Sequence, residues 1–95
     1  MPEHLAIGRD SVPRRRLDVR IRSYRGTLLV ATADSAFELH DMAAFLVRRF
    51  DGVRTVAQVV GLLATEYGLP PAEAEADTLD LLGQLIDHGV LEVTG

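Results

Sequence analysis

The sequence predicts an α+β fold in which a three-stranded antiparallel sheet is followed by a three-helix bundle. Two observations carry this prediction. Residues 17–39 contain three short strand-like segments separated by turn residues. Residues 41–88 contain three amphipathic segments, each bounded by residues that favour helix ends. With 95 residues, the chain has the size of one small domain.

The three predicted strands differ in pattern. Residues 17–22 alternate apolar and polar side chains, which is typical of a half-buried strand, and residues 25–26 supply a hairpin turn. The apolar run Thr27–Ala31 predicts a more central strand. Residues 33–35 turn the chain again, and Ala36–Leu39 predicts a short third strand. Successive side chains of that strand point to opposite faces of the sheet.

The first two helices are predicted from their ends. Asp41 is a suitable N-cap for a helix over residues 42–50, and Gly52 permits the left-handed turn that ends it. Thr55 is the predicted N-cap of a second helix over residues 56–67. Its apolar residues repeat at intervals of three and four, so that one face is predicted to pack on the core.

The third helix is predicted over residues 70–88, because proline at its start costs no hydrogen bond and Gly89 follows its end. Residues 90–93 predict a terminal strand or extended tail. This order of strands and helices is winged-helix-like.

The apolar stripe of the third helix is wider than core packing requires. At roughly 100° per residue, it spans an arc of about 160°. Its members are Ala74, Leu81, Leu85, Thr78, Leu82, Ile86 and Leu79. A core-facing stripe needs little more than about 100°. Leu81 or Leu79, at the two edges of the stripe, is therefore predicted to be covered, either by the N-terminal arm or by a binding partner.

Residues 1–16 are predicted to form a flexible N-terminal arm. Gly8, Ser11 and Pro13 interrupt any regular period, and residues 14–16 are a run of three arginines. Leu5 and Ile7 can dock on the body as a short edge strand.

Composition excludes several classes of protein. The absence of cysteine excludes disulfides and thiolate metal sites and fits a reducing compartment, so we predict a cytoplasmic protein. No segment approaches the ~18 consecutive apolar residues of a membrane span, so no membrane partner is predicted. The net charge of −4 argues against a dedicated nucleic-acid binder.

No pattern in the sequence indicates catalysis, a metal site or a cofactor. The three histidines show no ligand spacing; they are His4, His40 and His88. The serines lie in no recognisable nucleophile motif, and the acidic residues of the third helix occupy its polar face. No glycine-rich phosphate loop is present. We therefore predict a protein that is not an enzyme.

Several motifs carry a family resemblance. Residues 50–56, Phe-Asp-Gly-Val-Arg-Thr-Val, contain a DG-x-R-T-V turn into the second helix. Residues 26–30 precede the strand pair, residues 66–68 read Glu-Tyr-Gly, and residues 77–91 carry a leucine-rich helix that closes on Gly-Val-Leu. In this order they resemble the PqqD-like proteins, also called RiPP recognition elements, which bind leader segments of ribosomally made precursor peptides.

The resemblance implies that residues 17–95 form a leader-peptide-binding domain without catalytic activity. The leader would add as a β-strand in the groove between the third strand and the third helix. By position, the receiving edge is Ala36, Phe37, Glu38 and Leu39, and the opposing wall is Thr78, Leu81, Leu82 and Leu85. Leu81 stands where the family often has an aromatic residue, and Thr78 where valine is common.

The resemblance also implies partners, namely a precursor peptide and a peptide-modifying enzyme such as a leader peptidase. The chain lacks tryptophan and is more similar to the free-standing proteins of lasso-peptide pathways, whose clients are a protease and a cyclase. Two alternatives stay open. One is a winged-helix DNA-binding protein, although the acidic face of the third helix would repel phosphates. The other is an enzyme-docking or oligomerisation module without a peptide ligand.

Overall fold

The computed structural model describes residues 7–93, so His4 and Leu5 lie outside the described range. Within residues 7–93, the chain forms eight elements in the order β1 (Pro13–Arg15), β2 (Arg20–Tyr24), β3 (Thr27–Ala31), β4 (Ala36–Leu39), α1 (Asp41–Arg49), α2 (Val56–Tyr67), α3 (Pro71–Asp87) and β5 (Leu91–Val93). Strands β2, β3 and β4 form an antiparallel sheet, and β1 pairs with β5 in a second, two-stranded sheet. The predicted α+β class is confirmed.

The three-stranded sheet follows the sequence pattern closely except at its start. Strands β3 and β4 have the predicted bounds. Arg25 and Gly26 join β2 to β3 with φ values of 51° and 82°, the left-handed conformation that two-residue hairpins require. Strand β2, the first strand of this sheet, begins at Arg20 rather than at residue 17. The chain turns before it, since Val19 N donates to Arg16 O at 3.2 Å. Leu17 is consequently left 92% exposed.

Helix α2 has the caps that the sequence predicts. The Thr55 hydroxyl accepts a hydrogen bond from Gln58 N, and the Gln58 side chain accepts one from Thr55 N, which completes a capping box. Gly68 ends the helix in the left-handed conformation at φ 63°. Helix α3 starts at Pro71 and is followed by Gly89 at φ 77°. Both helices therefore begin and end close to their predicted positions.

The start of α1 differs from the prediction. Its N-cap is His40, whose side chain makes no cap hydrogen bond. Asp41 is instead the first helical residue and has a φ of 49°. Aspartate tolerates this left-handed conformation better than most residues. The sharp reversal lets α1 start directly after β4.

The structure corrects the prediction of a flexible arm for residues 7–16. Pro13–Arg15 pairs with Leu91–Val93 as β1, and Pro13 is fully buried. The arm also satisfies free N–H groups at the start of α2, since Ser11 O accepts from Val56 N at 2.9 Å and Arg9 O accepts from Ala57 N at 2.9 Å. Backbone pairing, rather than an apolar period, therefore holds this segment in place.

The core lies between the inner face of the three-stranded sheet and the three helices. Its largest fully buried apolar side chains come from every helix, from β3 and from the chain around β5: Phe50, Leu46, Leu63, Leu82, Leu91, Val30, Val56, Val59 and Val90. Aliphatic residues dominate it, as expected for a chain without tryptophan. Within residues 7–93, no helix is long and apolar enough to cross a membrane.

Candidate functional site

Strand β4 has one edge that no other strand of residues 7–93 pairs with. Thr32 N donates to Ser35 O at 2.8 Å, and antiparallel pairs alternate between bonded and non-bonded positions. Phe37, two residues beyond Ser35, is therefore again a position bonded to β3. It follows that the backbone N–H and C=O groups of Ala36 and Glu38 point to the open side.

A groove of about 430 Å³ runs between this open edge and helix α3. We call it the β4–α3 groove. It is lined by Ser35, Ala36, Phe37, Leu39, Ala43, Leu81, Gln84, Leu85 and His88. Its apolar side chains come from β4, from Ala43 of α1 and from one edge of α3. Its polar side chains are Ser35, just before β4, and Gln84 and His88 near the end of α3. The groove thus combines free backbone groups with an apolar wall.

Five of the eight residues predicted for this site line the groove. They are Ala36, Phe37, Leu39, Leu81 and Leu85. Glu38 belongs to the same strand, but its side chain lies on the opposite face of the sheet, with Arg22 and Leu29. Its carboxylate is 3.3 Å from His40 Nε2.

Thr78 and Leu82 were predicted to form part of the groove wall. The structure differs, because both side chains are fully buried in the core rather than exposed to the groove. On the helical wheel they lie nearer the middle of the apolar stripe than Leu81 does. The groove begins only at the Leu81 edge. The Thr78 hydroxyl has no hydrogen-bond partner among residues 7–93. The threonine therefore buries a polar group without satisfying it.

Sequence reasoning missed Gln84 and His88, which continue the groove past the edge marked by Leu81. For His88, the sequence indicated only that metal-ligand spacing is absent. Its ring lies edge-on to Phe37, with centroids 5.9 Å apart, and its Nδ1 is 2.8 Å from Gln84 O. Their positions on the helical wheel could have identified them, because both lie just beyond Leu81, outside that edge of the apolar stripe.

The described residues offer little support for a metal site or for catalysis. Within residues 7–93, no group of three or more histidine, cysteine or acidic side chains is arranged to hold a metal ion. Asp51 has a pKa below its ordinary value, because its carboxylate accepts hydrogen bonds from Arg54 N and Val53 N. Those bonds shape the turn before α2.

Comparison with known proteins assigns the family. Residues 26–91 match the family described as coenzyme PQQ synthesis protein D (PqqD). A PqqA binding protein of Xanthomonas axonopodis pv. citri is 35% identical over 89 residues, which cover 92% of this chain and 97% of the relative.

Solved structures agree with this match. The solution NMR structure of the PqqD truncation of Methylobacterium extorquens PqqCD, a stand-alone RiPP recognition element, has a TM-score of 0.77 at 33% identity and covers 96% of this chain and 99% of that chain. Lasso peptide synthetase B1 complexed with its leader peptide shares the fold, with a TM-score of 0.76 at 23% identity over 85% of this chain and 98% of that chain. On its sequence, its strand order and these matches, the chain belongs to the PqqD family.

Proposed function

We propose that this protein binds the leader segment of a ribosomally made precursor peptide and presents it to a peptide-modifying enzyme. The observation that carries the proposal is the unpaired edge of β4 beside an apolar groove. An open edge presents a row of unsatisfied hydrogen-bonding groups that an extended peptide can pair with. Strand addition gives affinity through the main chain and specificity through side-chain pockets.

The geometry of β4 restricts the leader that fits. Backbone groups of Ala36 and Glu38 are available for pairing, so an added strand would form its main-chain bonds there. Every second leader side chain would then point into the β4–α3 groove. Phe37, Leu81 and Leu85 make that wall apolar. The proposed ligand is therefore a segment in which aliphatic or aromatic residues alternate with polar ones.

Polar groups at the end of the groove add specificity. Gln84 and His88 lie where one end of the added strand would pass. The Gln84 side-chain nitrogen donates to Asp80 Oδ2 at 3.2 Å, which leaves its carbonyl oxygen available. A leader residue with a hydrogen-bond donor at this position is favoured over an apolar one.

Relatives of the chain support the same ligand class. The Xanthomonas relative is a PqqA binding protein, and the lasso synthetase B1 structure holds a leader peptide. Identity of 35% to the former favours a PqqA-like precursor over a lasso-type one. The lasso-pathway assignment, with a leader protease and a cyclase as clients, stays a prediction, because the likeness at 23% identity extends to the fold alone.

The proposed role is non-catalytic, and the DNA-binding alternative is less favoured. The exposed face of α3 carries Glu73, Asp80 and Asp87, whose charges oppose a phosphate backbone. The other alternative, docking without a peptide ligand, leaves the open edge of β4 without a role.

An NMR titration tests leader binding. The ¹⁵N-labelled chain is titrated separately with the leader half of the precursor encoded beside it, with a PqqA peptide and with a lasso leader. We expect the largest shift changes at residues 36–39 and 81–88 with the cognate leader, and none with a scrambled leader. Changes confined to residues 48–54 would contradict the proposed site.

A reconstitution experiment tests presentation to the enzyme. Modification or leader cleavage by the purified client should slow sharply when this protein is omitted, because tethering raises the local precursor concentration. Adding the protein back should restore the rate. Unchanged processing in its absence would refute a presenting role, and modification of the precursor by this protein alone would refute a non-catalytic one.

A further inference from the structure

A second concave surface lies at the opposite edge of the sheet from the β4–α3 groove, beside β1 and β2. This basic cleft, of about 490 Å³, is bordered by Arg14, Arg15 and Arg48 and has Val19, Val47 and Phe50 in its floor. It shares no lining residue with the groove beside β4. The two surfaces can therefore be occupied at the same time.

The guanidinium groups of the cleft are only partly satisfied within residues 7–93. Arg14 Nε donates to Glu92 Oε2 at 2.8 Å, and Arg48 Nη2 donates to the neutral Ser23 hydroxyl at 3.1 Å. The Arg15 guanidinium has no hydrogen-bond or ion-pair partner in that range. At least two positive charges of the cleft therefore lack a carboxylate.

Asp51 also lines the cleft, but its carboxylate is already used. Its Oδ1 accepts from Val53 N and Arg54 N at 2.9 and 3.0 Å, and its Oδ2 accepts from Arg54 Nη1 at 2.8 Å. Asp51 therefore does not neutralise the arginines at the rim, and the cleft keeps its positive character.

The apolar part of the cleft extends to its edge. Val19 and Val47 are 7% and 6% exposed, so they form a firm floor. Leu17, which also lines the cleft, is 92% exposed. An isolated exposed leucine is ordinary, but this one stands beside a concave apolar floor and an unpaired arginine. Its position suits a contact that is completed by another molecule.

Charge is strongly divided along the chain. All ten basic side chains are arginines and lie within residues 1–54. Residues 55–95 contain no arginine or lysine and seven acidic residues: Glu66, Glu73, Glu75, Asp77, Asp80, Asp87 and Glu92. The basic cleft comes wholly from residues 1–54. The lining of the leader groove contains no arginine, lysine or carboxylate. The cleft therefore selects its ligand by charge, whereas the groove does not.

We infer that the basic cleft docks an acidic segment with an aliphatic side chain, carried by the enzyme that modifies the bound precursor. The inference rests on the proposed function for the identity of the partner. Arginine forks bind carboxylates in a bidentate geometry, and the apolar floor accepts the aliphatic side chain. A nucleic acid would leave this floor unused and would meet the net charge of −4.

The test uses two double variants of the full chain with equal changes in net charge. Arg15→Glu with Arg48→Glu alters the cleft, whereas Arg20→Glu with Arg22→Glu alters exposed residues on the outer face of the sheet, outside both surfaces. Circular dichroism melts verify that each variant folds. Binding to the cognate leader and to the purified modifying enzyme encoded beside it is measured separately, at two salt concentrations.

We expect the cleft variant to lose at least about tenfold in affinity for the enzyme, and its leader affinity to stay within about twofold of wild type. The control variant should keep both affinities. Wild-type affinity for the enzyme should fall with added salt. Leu17→Ala should also weaken enzyme binding, without affecting folding, because its side chain is 92% exposed.

Different outcomes separate this inference from the proposed function. If the wild type does not bind the leader, the proposed function is refuted. The measurements of enzyme binding would still test the cleft in that case. Equal enzyme binding by the wild type and the cleft variant would overturn the inference, as would an absence of enzyme binding. Cleft-dependent binding of a duplex DNA oligonucleotide, or cleft-dependent self-association in sedimentation, in place of enzyme binding, would also overturn it.

Discussion

Strands β4 and β5 are both short, and each pairs with a single strand among residues 7–93, but the partners come from different parts of the chain. Strand β5 (Leu91–Val93) receives β1 from the N-terminal segment as an antiparallel partner. Strand β4 (Ala36–Leu39) pairs with β3 on one side and has no partner on the other among residues 7–93. The N-terminal segment therefore supplies the partner of β5, whereas the open edge of β4 is free to receive a strand from another molecule.

The surroundings of the two edges explain the difference. Beside β5, Arg16 N donates to Val90 O and Gly52 N donates to Pro13 O, both at 3.0 Å, so β1 is held by bonds beyond its own ladder. Beside β4 there is an apolar groove lined by half-buried side chains such as Phe37 and Leu81. A closed edge contributes to stability, and an open edge beside a groove is suited to binding.

Deleting residues 1–16 should remove β1 from β5 and give the largest change in the free energy of unfolding. Four backbone hydrogen bonds outside the β1–β5 ladder join residues 9–16 to the body. At about 1 kcal/mol each, their loss lowers the free energy of unfolding by about 4 kcal/mol. Urea denaturation measures this, and a synthetic peptide of residues 7–16 should partly restore it. A loss under about 1 kcal/mol would favour a flexible arm.

Glu38→Pro should disable the open edge while leaving the fold intact. The Glu38 N–H points away from β3, so proline removes a donor that the sheet does not use. Leader affinity should fall at least about tenfold, since one main-chain bond and close approach are lost. Isothermal titration calorimetry measures the affinity, and Glu38→Ala is the matched control. Unchanged leader affinity in the proline variant would place the ligand elsewhere.

Leu81→Ala should weaken leader binding by about 1–3 kcal/mol, because Leu81 contributes apolar surface to the groove. Leu79→Ala removes the same group at the opposite edge of the stripe, where the side chain is 37% exposed. Fluorescence anisotropy with a labelled leader should show a loss only for the Leu81 variant. A larger loss at Leu79 would assign the leader to the other side of α3.

Thr78→Val should stabilise the protein without affecting leader binding, which separates the core from the groove. The Thr78 hydroxyl is buried without a partner among residues 7–93. Replacing it with a methyl group of similar volume should raise the free energy of unfolding by about 1 kcal/mol. Thermal denaturation and a leader titration check the two halves of this prediction. A loss of stability would mean that the hydroxyl is satisfied in solution.

Asp51→Asn should produce the smallest change in stability. Asp51 lies in the turn before α2, next to Gly52, whose N–H donates to Pro13 O of β1. Hydrogen bonds from Arg54 N and Val53 N lower the pKa of Asp51 from its ordinary value of 3.8. Since the folded pKa lies below the unfolded one, its stabilisation is complete above the unfolded pKa and is lost as pH falls through the folded pKa. Denaturation at several pH values should show a difference from wild type at pH 7 that disappears in acid. A constant difference would exclude the charge as its cause.

Local sequence signals predicted much of the fold. Strands β3 and β4 and the Thr55 N-cap of α2 were predicted because turn residues and caps act within a few positions. The pairing of β1 with β5 was missed, because Pro13 and Val93 are far apart in sequence and three residues carry too little pattern to identify a strand. The alternation from residue 17 also misled, since its first residues, 17–19, form a turn before β2.

The candidate groove was predicted only in part, and the resemblance contributed its general location. The wheel identified Leu81 at an edge of the stripe but could not show that the neighbouring helices bury Thr78 and Leu82 completely. Nor could it show that Gln84 and His88 follow Leu81 into the groove. Burial depends on how helices pack against one another, and no pattern within a single helix specifies this.

The β1–β5 pairing also determines how the domain can be joined to other polypeptides. Pro13 lies opposite Val93, and opposed Cα atoms in an antiparallel pair are only about 5 Å apart. The chain therefore leaves the folded body beside β1, whereas the residues before β1 run along the start of α2, where Ser11 O and Arg9 O accept hydrogen bonds. A protein fused after β5 would emerge beside β1, in a different sheet from the open edge of β4, so a fusion at that end leaves the β4 edge available.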